Sequence, residues 1–167
     1  VLDLMVHDID LILEMVNSPI QNISASGARM MSETIDLAHA HIKFKNGAVA
    51  NLKSSRIARN YIRKIRTYQK NLYSITDLMI PQTELYGLEN NNKFSSNAKT
   101  QLIKTQSGEK TLYYEKFIPR NNDALLEEIN DFVRSINLRS SPIVDGQAGL
   151  NALKIALEIE NKIFLNE

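Results

Sequence analysis

The chain has 167 residues, 43 % of them hydrophobic, and a formal net charge of +1 at pH 7, which suits one domain able to bury a core without metal or disulfide staples. The near-neutral balance argues against a nucleic-acid binder or an acidic tail protein. Cysteine is absent, which excludes a disulfide framework, a thiolate metal site and a cysteine nucleophile and points to a cytosolic setting; no apolar run reaches the length of a membrane span and no signal peptide is visible.

The chain opens on Val1-Leu2 without an initiator Met and reaches its densest titratable cluster at once, Asp3-Leu-Met-Val-His7-Asp8-Ile9-Asp10. This abrupt start leads us to expect a missing N-terminal partner domain. Asp3 and His7 are four residues apart, so a helical backbone between them puts both on one face. Only histidine has an unperturbed pKa near neutrality, so it can take and return a proton at working pH. A plainer arrangement competes: Asp8 as a helix N-cap, His7 as a satisfied near-surface residue and Asp3 in solvent. Ile9, Ile12, Leu13 and Val16 recur at helical spacing before Asn17-Ser18-Pro19, which predicts a helix over about 8–17.

An extended run follows from Ile20 to Ser26. In Asp36–Phe44, positions 38, 40, 42 and 44 are apolar and 39, 41 and 43 polar, the alternation of a half-buried strand. Lys45-Asn46-Gly47 supplies a hairpin turn, and Ala48–Arg56 returns as its partner. Further strands are expected at about 62–69, 72–80 and 82–88, the first two joined at Gln69-Lys70-Asn71. Glu89–Lys99 reads as an exposed loop, and Thr100–Gln106 and Thr111–Phe117 flank a turn at Ser107-Gly108-Glu109-Lys110.

The last third is helical. Asn122 or Asp123 can cap a helix whose Leu125, Ile129, Phe132, Val133 and Ile136 form one stripe. After Pro142, Asp145 can cap a second helix over Gly149–Phe164. A helix, a run of antiparallel strands and two helices predict an α+β fold: one open, predominantly antiparallel sheet with helices on one face. The other sheet face would present His39, His41 and Lys43 beside Val49, Asn51, Lys53 and Ser55, and would stay wet or meet another subunit.

His39 and His41 have a spacing that can chelate zinc or copper, but further ligands would have to come from His7 or distant carboxylates, so a solvated or interfacial strand face is the better reading and no metal is expected. Residues 53–70 carry Lys53, Arg56, Arg59, Arg63, Lys64, Arg66 and Lys70 and no acid. Such a run suits a solvated face, or the phosphates of a small ligand, since guanidinium forks match phosphate oxygens. Nucleic acid is disfavoured by the sparse aromatic interleaving, Tyr61 and Tyr68 alone. No Gly-x-Gly-x-x-Gly, Walker loop or Gly-x-Ser-x-Gly elbow is present, and Gly146-Gln-Ala-Gly149 reads as a loose helix start, so the chain cannot hold a dinucleotide by the usual means.

The cluster Asp3-x-x-x-His7-x-x-Asp10, a sheet, and the closing Ser141-Pro-Ile-Val-Asp145-Gly-Gln-Ala-Gly-Leu150-x-Ala-Leu resemble, in this order and over essentially the whole chain, the C-terminal domain of the glucose–fructose oxidoreductase / inositol dehydrogenase (Gfo/Idh/MocA) family. The resemblance implies a dihydrodipicolinate-reductase-like mixed open sheet, with residues 1–167 forming one substrate-binding and oligomerisation domain. It implies a Rossmann domain, absent from this chain, that binds NAD or NADP. His7 then matches the proton acceptor from a sugar hydroxyl and Asp3 the residue that orients that hydroxyl and the histidine. Asp10, Arg56 and Arg63 are the expected substrate contacts, and the open sheet face the expected homo-oligomer contact. Leu4-Met-Val-His-Asp-Ile-Asp10, Ser55-Arg-Ile-Ala58 and Arg63-Lys-Ile-Arg66 look most similar to enzymes of UDP-N-acetyl sugars. The family's Glu-Lys-Pro lysine and Gly-rich loop are absent, so this chain alone is expected to be inactive. The other class of reading is a non-enzymatic dimerisation or ligand-sensing module using the sheet face.

Overall fold

A computed structural model of the chain describes residues 2–88, 94–106, 108–119 and 123–165. Its first helix, α1 (Leu2–Val16), begins at residue 2 rather than near residue 8. Asp3 lies in the first turn, where the positive end of the helix dipole favours a carboxylate. Asp8 therefore sits inside the helix, and the expected N-cap role is corrected. Met5 and Ile9 are buried, with Ile12, Leu13 and Val16 packed beside them. The helix ends where Asn17 turns to φ +44° and donates its N–H to the Leu13 carbonyl at 3.0 Å.

The chain divides into two compact units, residues 1–59 with 128–167, and residues 60–127. In the first, β1 (Ile20–Ala28), β2 (Leu37–Phe44) and β3 (Val49–Ser55) form an antiparallel sheet in that order. Along β2 burial alternates residue by residue, with Ala38, Ala40, Ile42 and Phe44 inward and His39, His41 and Lys43 outward. Gly47, at φ +88°, makes the β2–β3 turn, a conformation that side-chain-bearing residues resist.

Helix α3 (Gly146–Phe164) starts three residues earlier than expected, capped by Asp145, whose carboxylate accepts the Ala148 N–H at 2.9 Å. It buries Ala152, Ala156, Ile159 and Ile163. α3 packs against β1 and α1, and α1 against β3. Both helices thus lie over the buried residues of the sheet, and the opposite face remains open.

The second unit contains β4 (Lys64–Gln69), β5 (Leu72–Asp77), β6 (Gln82–Gly87), β7 (Lys99–Thr105) and β8 (Gly108–Phe117), ordered β4-β5-β6-β8-β7. β5 stops at Asp77 instead of reaching residue 80, because that carboxylate accepts the Met79 and Ile80 N–H groups at 3.0 and 3.1 Å and closes a turn. Registered partners Tyr68, Tyr73, Tyr86 and Tyr114 form a ladder with successive ring centroids 4.8, 5.8 and 5.0 Å apart. Glu84 accepts the Tyr86 hydroxyl at 2.7 Å, and this bond, with burial, pushes the phenol up to about 12.

Helix α2 (Ala124–Leu138) is capped by Asp123, which accepts from the Leu125 and Leu126 N–H groups at 3.0 and 3.3 Å. Asn122, the other candidate cap, Ser107 of the expected turn and part of the 89–99 loop lie outside the described residues. The α2 stripe of Leu125, Ile129, Phe132, Val133 and Ile136 is exposed.

The α+β class stands, but the strands form two sheets where one was expected, and every pairing among the described residues is antiparallel. The division falls at residues 56–63, which carry no strand pairing between β3 and β4. Among the described residues no helix is long and apolar enough to cross a membrane.

Candidate functional site

The early start of α1 settles the geometry of the opening cluster. Asp3, His7 and Asp10 all lie within the helix at i, i+4 and i+7, so they form one stripe with neighbouring Cβ atoms ~5–6 Å apart. Asp3 and His7 are exposed and Asp10 is half-buried, while Met5 and Ile9 hold the opposite side in the core. The same helix therefore anchors the cluster and presents it. Asp3 and His7 are close enough to act on one hydroxyl group.

Beside the first turn of α1 lies a recess of about 230 Å³, entirely within the first unit. Its polar lining is Asp3, Thr34, Arg56 and Glu160, set among apolar side chains that include Met5 and Ile159. Complete small-molecule sites are usually ~300–1,000 Å³. The recess thus accommodates one ring rather than a whole nucleotide sugar. Two carboxylates on an apolar wall offer acceptors to ring hydroxyls, the guanidinium offers a donor fork to an anion, and the wall excludes much of the water.

The segment carrying Thr34 is fixed by a carboxylate. Asp36 is 3 % exposed, and its Oδ2 accepts the backbone N–H groups of Met30, Met31 and Ser32 at 2.9, 2.8 and 3.0 Å. Its Oδ1 accepts the Ser32 hydroxyl at 2.8 Å. The Met31 and Met30 N–H groups foremost, helped by the Ser32 hydroxyl and opposed by burial, hold the carboxyl well below the usual carboxylate range.

Of the residues expected from sequence, the structure brings Asp3 and Arg56 to one recess and sets His7 and Asp10 along the helix from Asp3. Arg63 belongs to the second unit, just before β4, where its carbonyl accepts the Leu78 N–H at 2.9 Å. His39 and His41 are exposed on β2, with His41 Nδ1 paired to Asn51 Oδ1 at 2.8 Å. Among the described residues no group of three or more His, Asp or Glu is arranged to hold a metal ion.

Thr34 and Glu160 were missed in the sequence. Thr34 sits in the unpaired stretch between β1 and β2, and Glu160 lies near the opposite end of the sequence from Asp3; only packing of α3 beside α1 brings it near. No local pattern marks either residue.

Residues 1–70 match the GFO/IDH/MocA C-terminal domain family. The UDP-N-acetylglucosamine 3-dehydrogenase of Acidithiobacillus ferrooxidans is 28 % identical over 159 residues, 95 % of this chain and 47 % of the relative. A solved structure of that enzyme superposes with a TM-score of 0.79 at 26 % identity, covering 95 % of this chain and 47 % of its own. The myo-inositol 2-dehydrogenase of Thermotoga maritima is 24 % identical over 182 residues, 99 % of this chain and 49 % of the relative. An NAD-binding protein from Listeria innocua shares the fold, with a TM-score of 0.69 at 20 % identity over 99 % of this chain and 49 % of its own. The chain spans about half the length of the curated relatives it matches.

Proposed function

We propose that this chain, whose residues 1–70 match the GFO/IDH/MocA C-terminal domain, is a C-terminal domain of that family and the substrate-binding part of an NAD(P)-dependent, cytosolic oxidoreductase that interconverts a hydroxyl and a ketone on a sugar or nucleotide sugar. The carrying observation is that Asp3 and His7 stand one helical turn apart, with Asp3 on a ring-sized recess shared with Arg56. UDP-N-acetylglucosamine is the leading substrate candidate, because the curated relative that acts on it aligns with 95 % of this chain.

None of the six glycines stands between a strand and the start of a helix; four lie in or beside strands and two open α3. The chain thus offers no pyrophosphate cradle of the Gly-rich kind. NAD or NADP is assigned to a separate nucleotide domain of the same protein, and no step is derived through it.

What remains is the work of this chain's own residues. Oxidising a secondary alcohol requires the hydroxyl proton to leave oxygen, and a positioned imidazole is suited to take it. His7 is that base. Asp3, one turn earlier, accepts a hydrogen bond from the same hydroxyl and fixes its direction. Arg56 and Asp10 hold the rest of the substrate. The open face of β1–β3 is the contact between copies.

In the full-length protein, His7→Ala should lower kcat by ~10²–10⁴-fold, the usual worth of a positioned general base, while NAD(P)H still binds by fluorescence titration. Near-normal turnover in that variant would overturn the assignment. A purely sensing or dimerising module would bind ligand but show no turnover even in the wild type.

A further inference from the structure

Arg56, on the exposed stretch after β3, lines the recess, although long side chains lose much freedom when held in one place. What offsets that loss lies in the hydrogen bonds behind it. Arg56 Nη1 donates to Thr34 Oγ1 at 3.4 Å. Thr34 Oγ1 and Ser32 Oγ are 3.0 Å apart, and the Ser32 hydroxyl donates to Asp36 Oδ1 at 2.8 Å.

Each hydroxyl has one proton. The Ser32 hydroxyl has two acceptors in reach, the Asp36 carboxylate at 2.8 Å and the Thr34 carbonyl at 3.2 Å; with its proton on the nearer, charged one, Thr34 donates to Ser32 and turns its lone pairs to the guanidinium. The hydrogen bonds then run in one direction, from Arg56 through Thr34 and Ser32 to Asp36. Bonds aligned in this way strengthen one another. The backbone closes the loop: the Arg56 N–H donates to the Asp36 carbonyl at 2.9 Å, and the Asp36 N–H donates to Ala28 at 3.0 Å. One residue thus holds the main chain of Arg56 directly and its head through two hydroxyls.

We propose that Asp36 is a positioning residue for Arg56, aiming the guanidinium at a phosphate of the substrate through the Ser32–Thr34 relay. This rests on the reading of the recess as a substrate site, which it sharpens: the arginine is preorganised for an anion rather than free to search. Preorganisation should appear in binding, because the relay touches neither Asp3 nor His7.

The test uses the full-length protein with UDP-N-acetylglucosamine as probe and N-acetylglucosamine as its phosphate-free counterpart. Thr34→Val removes the relay hydroxyl at an exposed site and leaves the bonds of Asp36 intact. KM and the calorimetric Kd for UDP-N-acetylglucosamine should rise about fivefold, the order set by one ordinary hydrogen bond, with kcat changed by less than about twofold. Thr34→Ser, which keeps the hydroxyl, should restore both values, and weak binding of N-acetylglucosamine should be indifferent to either change. In an Arg56→Ala background Thr34→Val should add nothing. If Arg56→Ala weakens binding and Thr34→Val does not, the relay is rejected and the substrate site stands. If Arg56→Ala also leaves binding unchanged, or the wild type binds no UDP-N-acetylglucosamine, both the arginine's role and the relay fall.

Discussion

The carboxylate of Asp36 carries four hydrogen bonds from a segment of three residues, Met30 to Ser32, and this has a consequence for stability as well as for Arg56. Its folded-state pKa lies below the unfolded value of ~3.9, so as pH falls the unfolded chain takes up the proton first. The stabilisation is complete above about pH 5, declines as pH drops below about 4, and is lost as the folded-state value is passed. Asp36→Asn cannot titrate. The urea midpoints of wild type and variant should therefore differ by a constant amount from about pH 5 to 7 and converge below about pH 4. Asp77 and Asp131, also lowered, the first by the Ile80 N–H and Lys64 and the second by the Ile143 N–H, titrate in both proteins and cancel. A gap that does not narrow in acid would show that the carboxylate's charge is not what the segment requires. At this scale the sequence was partly readable: Asp3 and His7 declared themselves by an i, i+4 interval, but Asp36 looked like a strand-start residue because its donors lie in a stretch with no periodicity.

Among the elements, β1 and α3 meet at a glycine. A Cβ on Gly27 would sit 2.8 Å from Ile163 Cγ2, 3.1 Å from Ile35 Cγ2 and 3.1 Å from the Leu37 carbonyl oxygen. Ile163 Cγ2 is a branch on Cβ rather than a flexible tip, so relief requires α3 or β1 to move. Gly27→Ala should cost ~1–3 kcal/mol, the usual range for overpacking, seen as a lower thermal midpoint and urea midpoint. Because Ile163 and Glu160 both line the recess, the shift should also weaken binding of the proposed substrate, UDP-N-acetylglucosamine, in the full-length protein. Full stability in that variant would mean that the β1–α3 contact is looser than the geometry implies. The elements themselves were legible where one period ruled: β2 alternates without a break and α3 has its Asp145 cap. The start of α1 was misplaced because Asp8, directly before the apolar periodicity, reads as an N-cap although it lies inside the helix. The partition of strands between two sheets depends on pairings between distant segments, which no local pattern encodes.

For the whole molecule, the proposed contact between copies rests on the open face of β1–β3. Asn22, Ser24 and Ser26 pair in register with Lys43, His41 and His39, which in turn pair with Val49, Asn51 and Lys53. These nine residues include no carboxylate. Three strands ~4.8 Å apart and about eight residues of ~3.3 Å rise span roughly 400 Å², half of the ~800 Å² each partner usually contributes to a stable complex. A contact between copies through this face must therefore draw on neighbouring surface, while β2 forms its centre. A two-fold contact places equivalent residues near one another, so His41→Glu with Lys53→Glu would put four added carboxylates into one contact. The Glu side chain at position 41 would also meet Asn51 Oδ1, the acceptor now 2.8 Å from the imidazole. Unpaired charge at a desolvated centre weakens association by ~2–5 kcal/mol. Light scattering should then show the double variant as a smaller species at concentrations where the wild type is assembled, with cofactor binding intact. Identical masses across a dilution series would remove this face from the assembly and leave it as solvated surface.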